Sequence, residues 1–128
     1  MIDANLIIGA YWNRKSSSWH IIEGCINSVW NHFYTPGIKR EVFRILGNIR
    51  ANKDYTGKIE CLYEAGRKTA GVKKVAVIRD DPDDNKYLAC AAECLADCIL
   101  SNDKHLLNVK SFHGTKIIRP AEFMKKNS

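Results

Sequence analysis

Three observations predict a single α/β domain in which a four- or five-stranded, mostly parallel sheet lies between two helical layers. Short runs of β-branched and aliphatic residues alternate with longer stretches of helical periodicity, the pattern of a parallel sheet covered on both faces. The 128 residues contain no repeat or low-complexity tract and suit one domain that buries roughly two-thirds of its unfolded surface. Four acids, Asp3, Glu41, Asp84 and Asp103, fall where predicted strands give way to helices. One sheet gathers such turns at the carboxyl ends of its strands, where open α/β sheets bind ligands.

Met1-Ile2 is a very short first strand, followed by Asp3 and the apolar Leu6-Ile7-Ile8. A chain end usually frays, so a ligand at Asp3 requires that the sheet hold it tightly or that the natural start lie upstream. Arg14 to Ser18 reads as a loop whose serines cap the next helix. Trp19, Ile22, Ile26, Val29 and Trp30 then recur at helical spacing over about 13 residues. His32-Phe33-Tyr34-Thr35 is a short strand stopped by Pro36-Gly37. The following helix gathers Ile38, Val42, Ile45, Leu46 and Ile49 on one face, with Arg40, Arg44 and Arg50 mostly off it. Tyr55 to Lys68 predicts a helix with Ile59, Leu62 and Tyr63 inward, and Val72 to Ile78 a strand. Asp83 to Leu95 reads as an alanine-rich helix, Cys98-Ile99-Leu100 as a buried strand and Asp103 to Leu107 as a short helix. Thr115 to Ile118 is a last strand, and Pro120 opens a C-terminal helix as a first-turn proline.

Carboxylates gathered at one sheet edge repel one another unless a hard divalent cation sits among them, and oxygen ligands suit Mg²⁺ or Mn²⁺. Asp84 is the most telling of the four. Tyr87, Leu88, Ala91 and Leu95 follow it by three, four, seven and eleven residues, so it lies in the middle of its helix's apolar stripe. A carboxylate aimed at a core costs several kcal/mol unless paired or metal-bound. The helix dipole accounts for Asp81 and Asp83, but it does not ask an acid to face inward. Glu41 lies at the edge of its helix's apolar face, equally suited to ligation, to water or to pairing with Lys39 or Arg44. Helix capping alone explains an acid at Asp103, although the position is also the carboxyl end of a central strand.

Lys and Arg number 20 against 14 Asp and Glu, a formal charge of +6. With four acids in one pocket the remaining surface is more basic than that total, which suits a polyanion held by its phosphates; for the total alone, solubilising charge is the favoured account. No run of about 18 apolar residues occurs, and the start lacks the basic flank and apolar stretch of a signal peptide, so a cytoplasmic protein is expected. Cys25, Cys61, Cys90, Cys94 and Cys98 are odd in number and follow no zinc spacing; they read as small buried apolar residues. No glycine-rich dinucleotide or phosphate loop and no ordered Ser–His–Asp triad is present, and His20, His32, His105 and His113 have no partner spacing.

Asp3-Ala4-Asn5, Thr35-Pro36-x-Ile38-x-x-Glu41, Asp81-Pro82-Asp83-Asp84-Asn85-Lys86-Tyr87-Leu88 and Ser101-Asn102-Asp103-Lys104-His105-Leu106-Leu107 stand in the order found in PIN-domain proteins. More narrowly the chain resembles the toxin component of VapC-like prokaryotic toxin–antitoxin systems. The ending Gly114 to Phe123 is also typical. The likeness spans nearly the whole chain and is most specific from Asp81 to Leu107; the first 30 residues match only through Asp3 and Asn5. It implies that Asp3, Glu41, Asp84 and Asp103 are the catalytic and metal-holding quartet, supported by hydrogen bonds from Asn5 and Ser101. Ala4 stands where a threonine is common, Asn102 replaces a frequent glycine and Gly37 stands where many relatives carry an additional acid.

The resulting expectation is one PIN-like nuclease domain over residues 1–128. It is expected to be a Mg²⁺- or Mn²⁺-dependent endoribonuclease, and the resemblance adds 5′-phosphate and 3′-hydroxyl products, a homodimer and a cognate antitoxin. Arg40, Arg44 and Lys86 are the candidates for holding RNA phosphates. A catalytically inactive PIN-like module that binds RNA or protein is the alternative, favoured by the short first strand; a metal-dependent phosphohydrolase acting on small substrates would use the same acids.

Overall fold

The computed structural model describes residues 1–69 and 85–127. Within them the chain alternates helices with short strands as an α/β fold. Its centre is a three-stranded sheet of β3 (Cys98–Leu100), β5 (Thr115–Ile118) and β4 (Ser111–Phe112), ordered β3-β5-β4. β3 and β5 run parallel, with Ile99 opposite Ile117, and β4 joins β5 antiparallel. Ile2 adds a parallel bridge to Leu100 on the free side of β3. A separate parallel pair joins β1 (Phe33–Tyr34) to β2 (Arg67–Lys68), with Phe33 opposite Arg67. The described residues thus form two small sheets rather than one of four or five strands; the strand expected at Val72 to Ile78 lies outside them.

Alternation along the sheet assigns its two faces. Ile2 and Leu100 pack with the inward side chains of α1 (Ala4–Ala10), α2 (Ser17–Ile26), α3 (Pro36–Asn48) and α4 (Lys53–Ala65). Met1, Ile99 and Ile117 pack with Tyr87, Leu88, Cys90 and Ala91 of α5 (Asn85–Cys94) and Leu106 of α6 (Lys104–Leu107). Helices on both faces follow from that period of two. Several helix starts have a local cause. Ser16, Thr35 and Asn52 accept from the amides of Trp19, Ile38 and Tyr55, and Pro36 and Pro120 occupy first-turn positions in α3 and α7 (Pro120–Lys126).

Several expected boundaries move. The helix from Trp19 ends at Ile26 rather than near Trp30, because Ser28 takes a left-handed φ of 61°. Val29 is consequently 66% exposed, and Trp30 turns back onto Phe123 with ring centroids 4.9 Å apart. Pro36-Gly37 does not merely stop the strand; it opens α3. The helix expected to reach Lys68 ends at Ala65, and Arg67–Lys68 pairs with Phe33–Tyr34 instead. β4 was not expected. Its turn places His113 at φ 50° and Gly114 at φ 83°, so both central residues hold the positive angles of a two-residue hairpin. Among the cysteines, Cys25 and Cys90 are buried as expected, Cys94 and Cys98 are half-buried, and Cys61 is exposed.

Candidate functional site

The chain start is stitched to β3. The Leu100 amide donates to the Met1 carbonyl at 2.9 Å, and the Asp3 amide donates to the Leu100 carbonyl at 3.0 Å. Asp3 then leaves the sheet with extended backbone angles and caps α1, accepting from the Asn5 amide at 3.2 Å. Its side chain is 3% exposed. These bonds tie Asp3 to the sheet.

Ser101 joins the two aspartates. Its hydroxyl donates to Asp3 Oδ2 at 2.7 Å and accepts from the Asp103 amide at 3.0 Å. Asp103 in turn caps α6, its Oδ1 accepting from the His105 amide at 2.8 Å. Burial pushes the Asp3 carboxyl above its ordinary pKa; Ser101 and the Asn5 amide draw it back, and the charge of Asp103 adds to the rise.

Glu41, half-buried on α3, pairs with the Lys86 ammonium of α5, not with Lys39 or Arg44. Lys86 also stands 5.5 Å over the Tyr87 ring. The buried Tyr87 hydroxyl accepts from the Ala4 amide at 3.0 Å and lies against the Asp3 carboxyl. Burial first, then the charges of Asp3 and Glu41, raise the Tyr87 pKa. One phenol therefore feels the carboxylates of two different elements. In the sequence Tyr87 reads only as part of an apolar stripe, and nothing in that pattern singles out its hydroxyl.

Asp3 and Asp103 are thus drawn together through Ser101, and Glu41 approaches through Tyr87 and Lys86. Asp84 lies outside the described residues; its chain neighbour Asn85 is the buried first residue of α5. Among the described residues no group of three or more His, Cys, Asp or Glu is arranged to hold a metal by itself. The donor chemistry nevertheless suits a hard divalent cation, because Asp3 is a desolvated carboxyl beside a second acid and both offer oxygen donors. Asn5 contributes its backbone amide to Asp3, while its side chain is exposed. Arg40 and Arg44 are exposed on α3, and the ammonium of Lys86 is engaged by Glu41.

A family model described as PIN domain matches residues 1–105. No curated protein and no solved structure matches the chain significantly.

Proposed function

The chain belongs to the PIN-domain family, and from that premise we propose that it is a metal-dependent endoribonuclease, the toxin of a VapC-like toxin–antitoxin pair. The observation that carries this reading is the Ser101 hydroxyl, which bridges a desolvated Asp3 to Asp103 at the carboxyl end of β3. Two carboxylates so closely coupled would repel without a cation between them.

Asp3, Glu41, Asp84 and Asp103 would hold one or two Mg²⁺ or Mn²⁺ ions. When bound, such a metal lowers the pKa of a water and neutralises charge on phosphodiester oxygens. The residues of this chain supply the rest. Ser101 and the Asn5 amide fix the Asp3 carboxyl, and Tyr87 closes the floor of the site against water. A carboxylate of the quartet orients the attacking water in line with the scissile bond. Arg40 and Arg44 hold flanking phosphates, and Lys86 keeps Glu41 compensated until substrate and metal arrive. The products carry 5′-phosphates and 3′-hydroxyls. A homodimer, a cytoplasmic location, a cognate antitoxin and one domain over residues 1–128 with a four- or five-stranded sheet complete the proposal.

The Lys86–Glu41 pair also favours a second reading, a catalytically inactive PIN-like module that binds RNA or protein. One carboxylate of the quartet already has a cation. Cleavage of end-labelled RNA in Mg²⁺ or Mn²⁺, against EDTA and against Asp84→Asn, separates the two. The nuclease reading expects cutting by wild type alone and 5′-phosphate ends. RNA retained uncut by wild type in every metal would establish the binding module instead.

A further inference from the structure

A concave groove of about 600 Å³ lies along α3, lined by Tyr34, Pro36, Lys39, Arg40, Phe43, Arg44 and Lys68. Four of these are cations and none is an acid. No carboxylate among the described residues pairs with any of the four. Tyr34 is buried and braced edge-on against Tyr63 at 4.8 Å, while half-buried Phe43 leaves part of its ring open to the groove. Lys39 stands 5.9 Å over the Tyr63 ring, which holds its stem along the wall.

The groove shares α3 with Glu41 of the candidate site. At about 100° per residue, Arg44, Arg40, Pro36, Phe43 and Lys39 follow one another round α3 from Glu41, spanning roughly 60° to 200°. A chain with one phosphate at Glu41 therefore meets the two guanidinium groups first and the aromatic ring next. Guanidinium groups suit phosphate oxygens bidentately, and an exposed ring suits any base π-face.

Resting on the reading of this site as one that cuts RNA, we propose that the groove seats a single RNA strand next to the scissile phosphate. One unstacked base lies against Phe43, and its phosphates lie on Arg40, Arg44 and Lys68. A duplex cannot occupy the seat, because its bases are stacked on each other and its deep groove is too narrow for side chains to read. An acidic peptide would satisfy the cations but would give the ring no partner.

Binding is measured in EDTA, where cleavage is silent, so the groove is read independently of whether the quartet cuts. The probe is a fluorescent single-stranded oligoribonucleotide, with a duplex of the same sequence and polyglutamate as competitors. Phe43→Leu, which keeps apolar volume against Tyr63, is expected to bind the single strand at least about five-fold more weakly and to leave the duplex unchanged. Arg44→Gln, on an exposed position that leaves the core intact, is expected to lower the salt slope by roughly 0.7. Single-strand affinity unchanged in both variants would overturn the proposal. So would polyglutamate competing as well as RNA, since the groove would then be a seat for an acidic protein. If the groove variants bind weakly while wild type cuts nothing in Mn²⁺, the nuclease reading falls and the groove stands.

Discussion

The Ser101 hydroxyl donates to one aspartate while accepting from the amide of another, a pair of bonds that alanine cannot make. If Asp3 and Asp103 hold the proposed metal, Ser101→Ala should leave the fold in place and lower cleavage by roughly ten- to hundred-fold; steady-state kinetics and a melting curve check both halves. His32 makes a prediction of another kind. It is fully buried between Tyr34 and Tyr63, neither ring nitrogen has a hydrogen-bond partner among the described residues, and burial holds its pKa well below the ordinary histidine value. The folded state keeps this imidazole neutral, so its contribution is intact above the unfolded pKa near 6.5 and is lost as pH falls below it. Wild type should lose stability relative to His32→Phe at about 1.4 kcal/mol per pH unit between pH 6 and 5. Equal slopes in urea titrations of the two proteins would contradict this assignment. At this scale the sequence was partly legible. Asp3 and Asp103 could be named from their places at strand ends and Ser101 only through the family resemblance, but the partner of Glu41 could not, because Lys86 is brought to it by the fold. The role of Tyr87 was hidden for the same reason: its ring belongs to the apolar stripe, and only its hydroxyl reaches the Ala4 amide across the fold.

The elements owe their positions to short-range chemistry. α3 begins where the Thr35 side chain accepts from the Ile38 amide, ahead of Pro36, and this start sets the height of Glu41 one turn later. Thr35→Ala should cost about 0.5–2 kcal/mol in urea unfolding. The chain reversal after α2 works by contact: Trp30 lies on Gly24, and a methyl group there would run into its ring. Gly24→Ala should destabilise by about 1–3 kcal/mol through overpacking, measured by the same unfolding curves. Helices with a side-chain cap, such as α3 and α6, were legible, and α7 was legible from its first-turn proline. Two-residue strands were not. Ser111–Phe112 is too short to show a period, and its His113-Gly114 turn lacks the common Asn or Asp at its first central position. Arg67–Lys68 prolongs a helical pattern in sequence and becomes a strand only because Phe33–Tyr34 lies beside it. Met1-Ile2 likewise gains its order from β3, a partner almost the whole chain away.

Across the molecule, a net charge of +6 coexists with buried or half-buried acids drawn toward the carboxyl end of the central sheet. No helix among the described residues is long and apolar enough to cross a membrane. The division between an acidic site and a basic groove on one helix gives the molecule its proposed chemistry: α3 presents Glu41 on one side and Arg40 and Arg44 on the next. The central claim is that Asp84 completes a metal site with Asp3, Glu41 and Asp103. Calorimetric titration of Mn²⁺ into wild type and into Asp3→Asn, Glu41→Gln, Asp84→Asn and Asp103→Asn tests it most directly. The account predicts that each variant remains folded and weakens Mn²⁺ binding at least about ten-fold, with Asp84→Asn among the most affected. Asp84→Asn binding Mn²⁺ as tightly as wild type, or wild type taking up none, would contradict it.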